Sequence, residues 1–442
     1  MSALAAAIEE RERVLATFLE REQDALASAC HAMARAFSRG GTLLAFGTGA
    51  AATDAAHVAV EFMHPVIVGK RALPALAPTN DPTGAARVER LGAAGDVALA
   101  LLHERAAPAA ERFLAAARAR GMLTIAFGPE SARLTADHVF AVPSRDSVVV
   151  QEVQETAYHV LWELVHVFFE HPGLLEEACV TCGDVAVEAS VVAVTGASAT
   201  VAREGAREEV ATELVGEVRV GDRLLCHAGV ALERMDAAAD DPTDFLYPFL
   251  GAGEPDLDAV LADVRASTVR KGADTIALRR AIDLDAVAAC GAAVGAALSA
   301  GGRLIAFGNG GSATDAQDAA ADALGRGWPA VALVDDAATV TAVGNDVGFD
   351  KAFARQLIPL ARAGDVALAI STSGSSANVV AGLEEAQRRG MLTCAITGYD
   401  GGRLAELPWL DHLIVVAGDY IPRLQEAHAT IYHLLLDVAG RR

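Results

Sequence analysis

Thr42-Leu-Leu-Ala-Phe-Gly-Thr-Gly-Ala-Ala-Ala-Thr-Asp54 and Arg303-Leu-Ile-Ala-Phe-Gly-Asn-Gly-Gly-Ser-Ala-Thr-Asp315 are two versions of one segment. A repeat of this kind fixes domain organisation more firmly than local propensity does. Three further matches follow in the same order. Gly95-Asp-Val-Ala-Leu-Ala100 pairs with Gly364-Asp-Val-Ala-Leu-Ala369, and Gly121-Met-Leu-Thr124 with Gly390-Met-Leu-Thr393. Asp137-His138 followed by Gln151-Glu152 and His159 pairs with Asp411-His412 followed by Gln425-Glu426 and His433. Two copies of one domain therefore flank a different segment.

Within each copy, short apolar runs end in Gly- or Ser-rich turns and lead into alanine-rich helical stretches, the alternation of an α/β fold with a parallel sheet covered by helices. In the second copy the pattern predicts strands over 303–307, 331–334, 366–370 and 392–396, and helices over 314–324, 377–389 and 424–438. Each copy is expected to open with a long helix, over 5–35 and 284–299. The intervening segment carries short β-prone runs at 185–187, 190–194, 200–202, 208–210 and 223–226, with glycines at the turns, which predicts a small β-barrel. The Asp-, Pro- and Gly-rich stretch after it reads as a linker. The expected division is 1–175, 177–236, linker 237–258, and 259–442.

Composition narrows the function classes. The 442 residues carry 58 acidic and 36 basic side chains, a formal charge of −22, which leaves no basic surface to track a phosphodiester backbone. Nucleic acid is not an expected partner. No uncharged apolar stretch approaches the roughly 18 residues of a membrane span, so no membrane is expected either. Glu9, Glu10, Arg11, Glu12 and Arg13 stand where a signal peptide needs its apolar core, which predicts a cytoplasmic protein. Six cysteines in so long a chain do not imply a disulfide framework.

Gly308-Asn-Gly-Gly-Ser312, Val343-Gly-Asn-Asp346, Ile370-Ser-Thr-Ser-Gly-Ser-Ser376 and the pair Gln425 and His433 give the second copy a specific character. The serines lie between a strand and a helix, where free backbone N–H groups, hydroxyls and the positive helix end converge on an anion. Taken together these motifs resemble the phosphoheptose isomerases, members of the sugar-isomerase (SIS) phosphosugar-binding fold. The resemblance implies two flavodoxin-like SIS domains, with a phosphorylated sugar held by Asn309, Gly310, Ser312, Asp336, Ser371, Thr372, Ser373 and Ser376. It also implies metal-assisted aldose–ketose isomerisation through an enediol, of the sedoheptulose 7-phosphate type. Gln425, His433 and Asp322 are the catalytic candidates of this copy.

Two departures separate the second copy from the family. The family's His and Glu on the helix after the Gly-rich loop become Asp318 and Asp322, and an acid/base Asp three residues before the Gln becomes Pro422. The first copy departs in the opposite sense. Its cradle reads Leu101-Leu-His-Glu-Arg-Ala-Ala107, where Glu104 would repel a phosphate, yet His57, Glu61, Gln151 and His159 match the family's metal-ligand types. Those four form a zinc-type divalent site by resemblance. A Schiff-base route has little support, because Lys70, Lys271 and Lys351 all lie outside the motifs. Because the losses are complementary, the two copies are expected to form one pseudo-symmetric pair sharing a site, with homo-oligomerisation also expected.

In the middle segment, Cys179-Val-Thr-Cys182, Val220-Gly-Asp222 and Leu224-Leu-Cys-His-Ala-Gly-Val-Ala-Leu232 resemble the HypC/HupF hydrogenase-maturation chaperones. The resemblance implies iron held by Cys179 and His227, a thiolate–imidazole pair. It also implies hydrogenase-maturation proteins or a hydrogenase large subunit as partners. Cys179 is internal, whereas the family's cysteine follows the initiator Met. Read alone, one Cys-x-x-Cys also fits a redox pair or two incidental barrel cysteines. For the whole chain, a non-catalytic assembly scaffold and a phosphosugar sensor stand beside the enzyme reading.

Overall fold

The computed structural model describes residues 3–67, 70–77, 84–104, 108–175, 187–195, 198–203, 206–212, 215–216, 218–227, 230–235 and 257–441. The chain divides into two compact units, Met1–Leu175 with Asp256–Arg442, and Glu176–Pro255.

The first half of the larger unit runs α1 (Ala3–Ser38), β1 (Leu43–Gly47), α2 (Ala51–Met63), β2 (Ala75–Leu76), α3 (Ala85–Leu91), β3 (Val97–Leu101), α4 (Pro108–Ala119), β4 (Leu123–Pro129), β5 (His138–Val142) and α5 (Ser147–Phe169). The smaller unit holds β6 (Val187–Thr195), β7 (Ser198–Arg203), β8 (Ala206–Ala211), β9 (Arg223–His227) and β10 (Val230–Met235). The second half of the larger unit begins with α6 (Leu257–Arg280), α7 (Leu284–Ser299), β11 (Leu304–Gly308), α8 (Gly311–Gly325) and β12 (Ala330–Ala332). It continues through α9 (Ala337–Asp346), α10 (Ala352–Leu360), β13 (Val366–Ser371), α11 (Ala377–Arg388), β14 (Leu392–Thr397), α12 (Gly402–Ala405), β15 (His412–Val415) and α13 (Ile421–Ala439).

Both halves build the same all-parallel sheet, ordered β2-β1-β3-β4-β5 and β12-β11-β13-β14-β15. This is the doubly wound order in which ligands bind outside the carboxyl ends of the central strands. Alternate strand residues pack on opposite faces. Leu304, Ala306, Val366, Leu368 and Ile370 join the core under α7, α8 and α13, whereas Ile305, Phe307, Ala367 and Ala369 join the one under α10 and α11. Helices on both faces explain why these strands read as continuous apolar runs. Among the described residues no single helix is long and apolar enough to cross a membrane.

The expected opening helix at 284–299 is α7, but the structure places a second helix, α6, ahead of it. Its first residues, 257–258, fall inside the expected linker, whose remaining residues lie outside the described ones. α6 escapes pattern reading because its buried positions, Val260, Val264, Thr268, Gly272, Thr275 and Arg279, are mostly small or polar although they recur at helical spacing. Gly272 lets α1 approach closely: a Cβ there would stand 2.1 Å from Leu19 Cδ1 and displace that side chain.

In the smaller unit the pairings run β10-β8-β7-β6-β9 and return from β9 to β10; the β8–β10 step is a single parallel bridge, Val230 to Ala211. Ala189, Val191, Ala199, Val201, Val210, Leu224, Cys226 and Ala231 form its core. β10 lies beyond the expected runs, and expected strand residues 185–186 lie outside the described ones.

The two halves of the larger unit are locked by α5 and α13. Glu152 of α5 accepts from Thr430 Oγ1 at 2.6 Å and lies 3.1 Å from His433 Nδ1. Glu426 of α13 accepts from Thr156 Oγ1 at 3.0 Å and lies 2.9 Å from His159 Nδ1. Later residues of one helix thus meet earlier residues of the other, and the same contact is made twice, in the reciprocal manner of a twofold interface. Both carboxylates are fully buried and charged. Burial would raise the Glu152 pKa, but Arg11, His433 and Arg279 hold it well below the usual carboxylate range. For Glu426, burial is likewise overcome, by Arg423 and His159.

Glu152→Ala leaves Arg11, Arg279 and His433 facing one another in the core, and should destabilise the protein by about 3–5 kcal/mol. Urea unfolding checks this. His433 gives the pH dependence. Burial lowers its pKa, but hydrogen bonds to Asp318 and Glu152 outweigh that and push it up to about 9. A raised histidine contributes stability that is complete below its ordinary value of 6.5 and is lost as pH rises through the folded value. The unfolding midpoint should therefore fall as the pH rises from about 6.5 to about 9 in wild type, and less steeply over that range in His433→Asn.

Candidate active site

α2, which follows β1 after a short turn, presents His57 and Glu61 from its second half, one helical turn apart and buried. His57 Nε2 lies 3.6 Å from Glu61 Oε1. His159 from α5 completes a buried cluster whose ligand atoms all fall within 4.8 Å of one another. The fourth neighbour comes from the other half. Gln425 Nε2 stands 3.1 Å from His57 Nε2, and an amide is readily turned to offer its oxygen instead.

The expected fourth ligand, Gln151, is elsewhere: it hydrogen-bonds Asp318. Helical rise accounts for the exchange. Gln151 and His159 are eight residues apart on α5, about 12 Å along the axis, so they face different ends of the α5–α13 contact. The same spacing splits the expected catalytic set of the second copy. Gln425 sits with His57, whereas His433 Nε2 lies 3.2 Å from Asp318 Oδ2, and Asp322 pairs with Arg326.

The two ends are related by the repeat and differ in how their atoms are satisfied. In the His57 group, Glu61 Oε2, His159 Nε2 and Gln425 Oε1 are buried with no hydrogen-bond partner. A tetrahedral ion with bonds of 2.0–2.1 Å separates its ligands by about 3.3–3.4 Å, close to the 3.6 Å between His57 Nε2 and Glu61 Oε1. The set is two imidazoles, a carboxylate and an amide, which suits a zinc-type ion. Burial lowers the pKa of His159, in part offset by Glu426, so its ring is neutral as a ligand must be. Glu426 holds Nδ1 and thereby aims Nε2 inward.

At the other end, every counterpart is already paired. His433 bridges Glu152 and Asp318, and Tyr432 donates to Asp318 Oδ2 at 2.8 Å. Arg326 Nε lies 3.2 Å from both Asp322 oxygens, and its second nitrogen lies 2.7 Å from Asp437. Protein cations occupy the acceptor atoms there. A cavity of about 790 Å³ at this end is lined by Gln151, Asp318, Asp322 and His433 together with Thr48, Gly49, His103 and Glu104 of the first-half loops.

The serine cradle belongs to the His57 end. β11 and β13 are neighbours with Gly308 opposite Ile370, so their loops leave the sheet side by side. Asn309 and Asn378 exchange amide hydrogen bonds of 2.8 and 2.9 Å and tie the two loops together. Gly310 starts α8 at φ 56°, and a Cβ on Gly311 would stand 2.6 Å from His57 Nε2 and 1.8 Å from Gln425 Nε2. The Gly-rich loop of the second half therefore rests directly on the ligand cluster.

Within the serine loop, Ser371 Oγ accepts from Gly374 N and Ser373 Oγ from Ser375 N. Gly374, at φ 59°, packs against the Gly401 carbonyl with no room for a Cβ. Ser376 is the N-cap of α11 and its hydroxyl makes no capping bond. Thr372 follows β13, its carbonyl accepting from Gly398 N. Ser312 is buried in the first turn of α8. Asp336 differs: it caps α9, accepting from Ala338 N and Thr339 Oγ1, on an exposed surface. Cys179 and Cys182 lie outside the described residues, and His227 ends β9.

Sequence reading did not single out Glu426, Asn378 or Gly311 for roles. The repeated Gln-Glu pair was the available signal for the first. The other two act through contacts between loops, which no local pattern encodes.

The SIS domain family matches residues 8–129 and 272–398, and the HupF/HypC family matches 185–244. The phosphoheptose isomerase of Geobacter metallireducens is 48% identical over 152 residues, which are 33% of this chain and 79% of that protein. That of Halorhodospira halophila is 44% identical over 158 residues, 34% of this chain and 80% of the relative. Among solved structures, the C-terminal domain of glucosamine-fructose-6-phosphate aminotransferase from Francisella tularensis is similar with a TM-score of 0.52 at 8% identity, covering 96% of this chain and 94% of that one. That likeness shows the fold alone. The chain belongs to the SIS domain family, carrying the domain twice with a HupF/HypC-family segment between the copies.

Proposed function

We propose that the larger unit isomerises a sugar phosphate between aldose and ketose at one composite site. The first half would supply His57, Glu61 and His159, and the second half Gln425 and the serine cradle. The observation that carries this reading is the convergence of unpartnered Glu61 Oε2, His159 Nε2 and Gln425 Oε1 beside the Gly-rich loop. A bound divalent metal would polarise the oxygens of the reacting carbons and stabilise the enediolate.

The chain's own groups do the rest. The N–H groups at the start of α11, with Ser371, Thr372, Ser373 and Ser376, hold the phosphate. Glu61 takes the proton from the carbon beside the carbonyl and returns it to the neighbouring carbon, while the hydroxyl proton passes from one oxygen to the other. Glu426 accepts from His159 Nδ1–H and so leaves the Nε2 lone pair facing inward. Similarity to the phosphoheptose isomerases makes sedoheptulose 7-phosphate the first substrate to test.

The HupF/HypC-family match supports a role in nickel–iron hydrogenase assembly, with a small β-barrel unit holding iron through Cys179 and His227. Hydrogenase-maturation proteins or the large subunit would be its partners, in the cytoplasm. Iron content that is unchanged in Cys179→Ser would contradict the iron assignment.

Two outcomes test the composite site. His159→Ala should remove the bound divalent metal while Asp318→Ala retains it, and Glu426→Gln should weaken its affinity by about 10–100-fold. Elemental analysis of purified protein reads both. In a turnover assay with sedoheptulose 7-phosphate, Ser373→Glu and His57→Ala should each abolish isomerisation, whereas Asp322→Asn at the other end should leave it near wild type. Equal loss in Asp322→Asn would contradict the assignment of the site to one end.

A further inference from the structure

On the far side of the His57 ring, α2, α5 and α8 enclose a small cavity of about 10 Å³, enough for a single water-sized sphere. It is lined entirely by polar side chains, among them Asp54, His57, Glu155, Tyr158, Asp315 and Asp318. Two of the four carboxylates lie close to partners of their own. Asp318 is held by His433 and Tyr432, and Asp54 Oδ2 lies 2.8 Å from His103 Nε2.

Among the described residues Glu155 has no ion pair, and Asp315 has only His57 Nδ1, at 3.9 Å. Glu155 Oε1 and Asp315 Oδ2 are unpartnered although the residues are only 2% and 3% exposed. Their oxygens lie within 4.8 Å of each other and of a His57 nitrogen. Burial and the neighbouring Asp315, Glu426 and Asp54 push the Glu155 pKa well above the usual carboxylate range, and Arg279, which lies 3.4 Å from Glu152, offsets this only in part. His57 Nδ1 faces Tyr158 at 3.1 Å and is 3.9 Å from Asp315. Two buried carboxylates this close repel, and each loses its hydration. Glu155 is also specific to the first half, since the repeat places Ala429 at the matching position of α13.

We propose that this cavity binds a second, hard cation, held between the carboxylates of Glu155 and Asp315 with Asp54 and the Tyr158 hydroxyl as further oxygen donors. An all-oxygen donor set of this kind suits Mg²⁺, Ca²⁺ or Mn²⁺ rather than a zinc-type ion. The cation neutralises the crossing of α2 and α8, where the halves meet behind His57, and so joins them independently of the ligand cluster on the Nε2 side. It does not rest on the isomerase reading.

The test uses the full chain stripped with chelator and then titrated with MgCl₂, CaCl₂ or MnCl₂ alone, with thermal unfolding and elemental analysis as readouts. Wild type should take up about one equivalent of at least one of these ions and unfold at a higher temperature when loaded. Glu155→Gln should lose that equivalent and the thermal shift that goes with it, with a circular dichroism spectrum in chelator that matches wild type. That match separates it from a variant that merely folds badly. His159→Ala should keep the hard-cation response while losing the zinc-type ion, so failure of the composite site is distinguishable. If Glu155→Gln does not fold, Mn²⁺ binding to zinc-saturated wild type by electron paramagnetic resonance decides. A Glu155→Gln protein that binds as much hard cation as wild type, or zinc-saturated wild type that binds none, overturns the proposal.

Discussion

The contact that everything else depends on is the doubled carboxylate exchange between α5 and α13, Glu152 with Thr430 and His433, and Glu426 with Thr156 and His159. A buried carboxylate is tolerated only where several donors replace its water, and here the donors come from the opposite half as well as from Arg11, Arg279 and Arg423. The exchange therefore fixes the register of one helix against the other. It also fixes which histidine nitrogen points inward, because in both cases Nδ1 is taken by the glutamate, leaving His159 Nε2 to face His57 and His433 Nε2 to face Asp318.

From that symmetric scaffold the two ends diverge through a few side chains. His159 Nε2 looks toward His57 and Glu61, and its ring stays neutral; His433 Nε2 looks toward Asp318, and its ring is held protonated. One substitution, His57 in one half against Asp318 in the other, changes the charge of the facing histidine and hence what the pair can bind. Arg326 closes the argument at the second end by occupying Asp322. The end with the serine cradle is also the end whose donor atoms are left without partners.

Much of this was legible in the residues. The repeat located both sheets, and continuous apolar runs such as Val97–Leu101 and Val366–Ser371 were read as strands because each is buried on both faces. His57, Glu61 and His159 were identifiable from spacing and resemblance. What escaped was whatever depends on the halves meeting. Gln151 and Gln425 exchange places because an antiparallel crossing assigns residues eight apart to different ends. α6 was missed because its contact face is made of Thr268, Gly272, Thr275 and Arg279 rather than of apolar residues. Asp336, expected at the phosphosugar, caps α9, a role that an Asp at a strand-to-helix turn readily fills.

The account's central claim is that one end of the paired halves, and not the other, holds the metal beside the phosphate. Anomalous diffraction at the zinc edge, from crystals of the full chain grown with zinc and a ketose phosphate, tests it most directly. The account predicts a single strong peak among His57, Glu61, His159 and Gln425, with the phosphate at Ser373 and Ser376. A peak among Asp318, Asp322 and His433, or equal peaks at both ends, would contradict it.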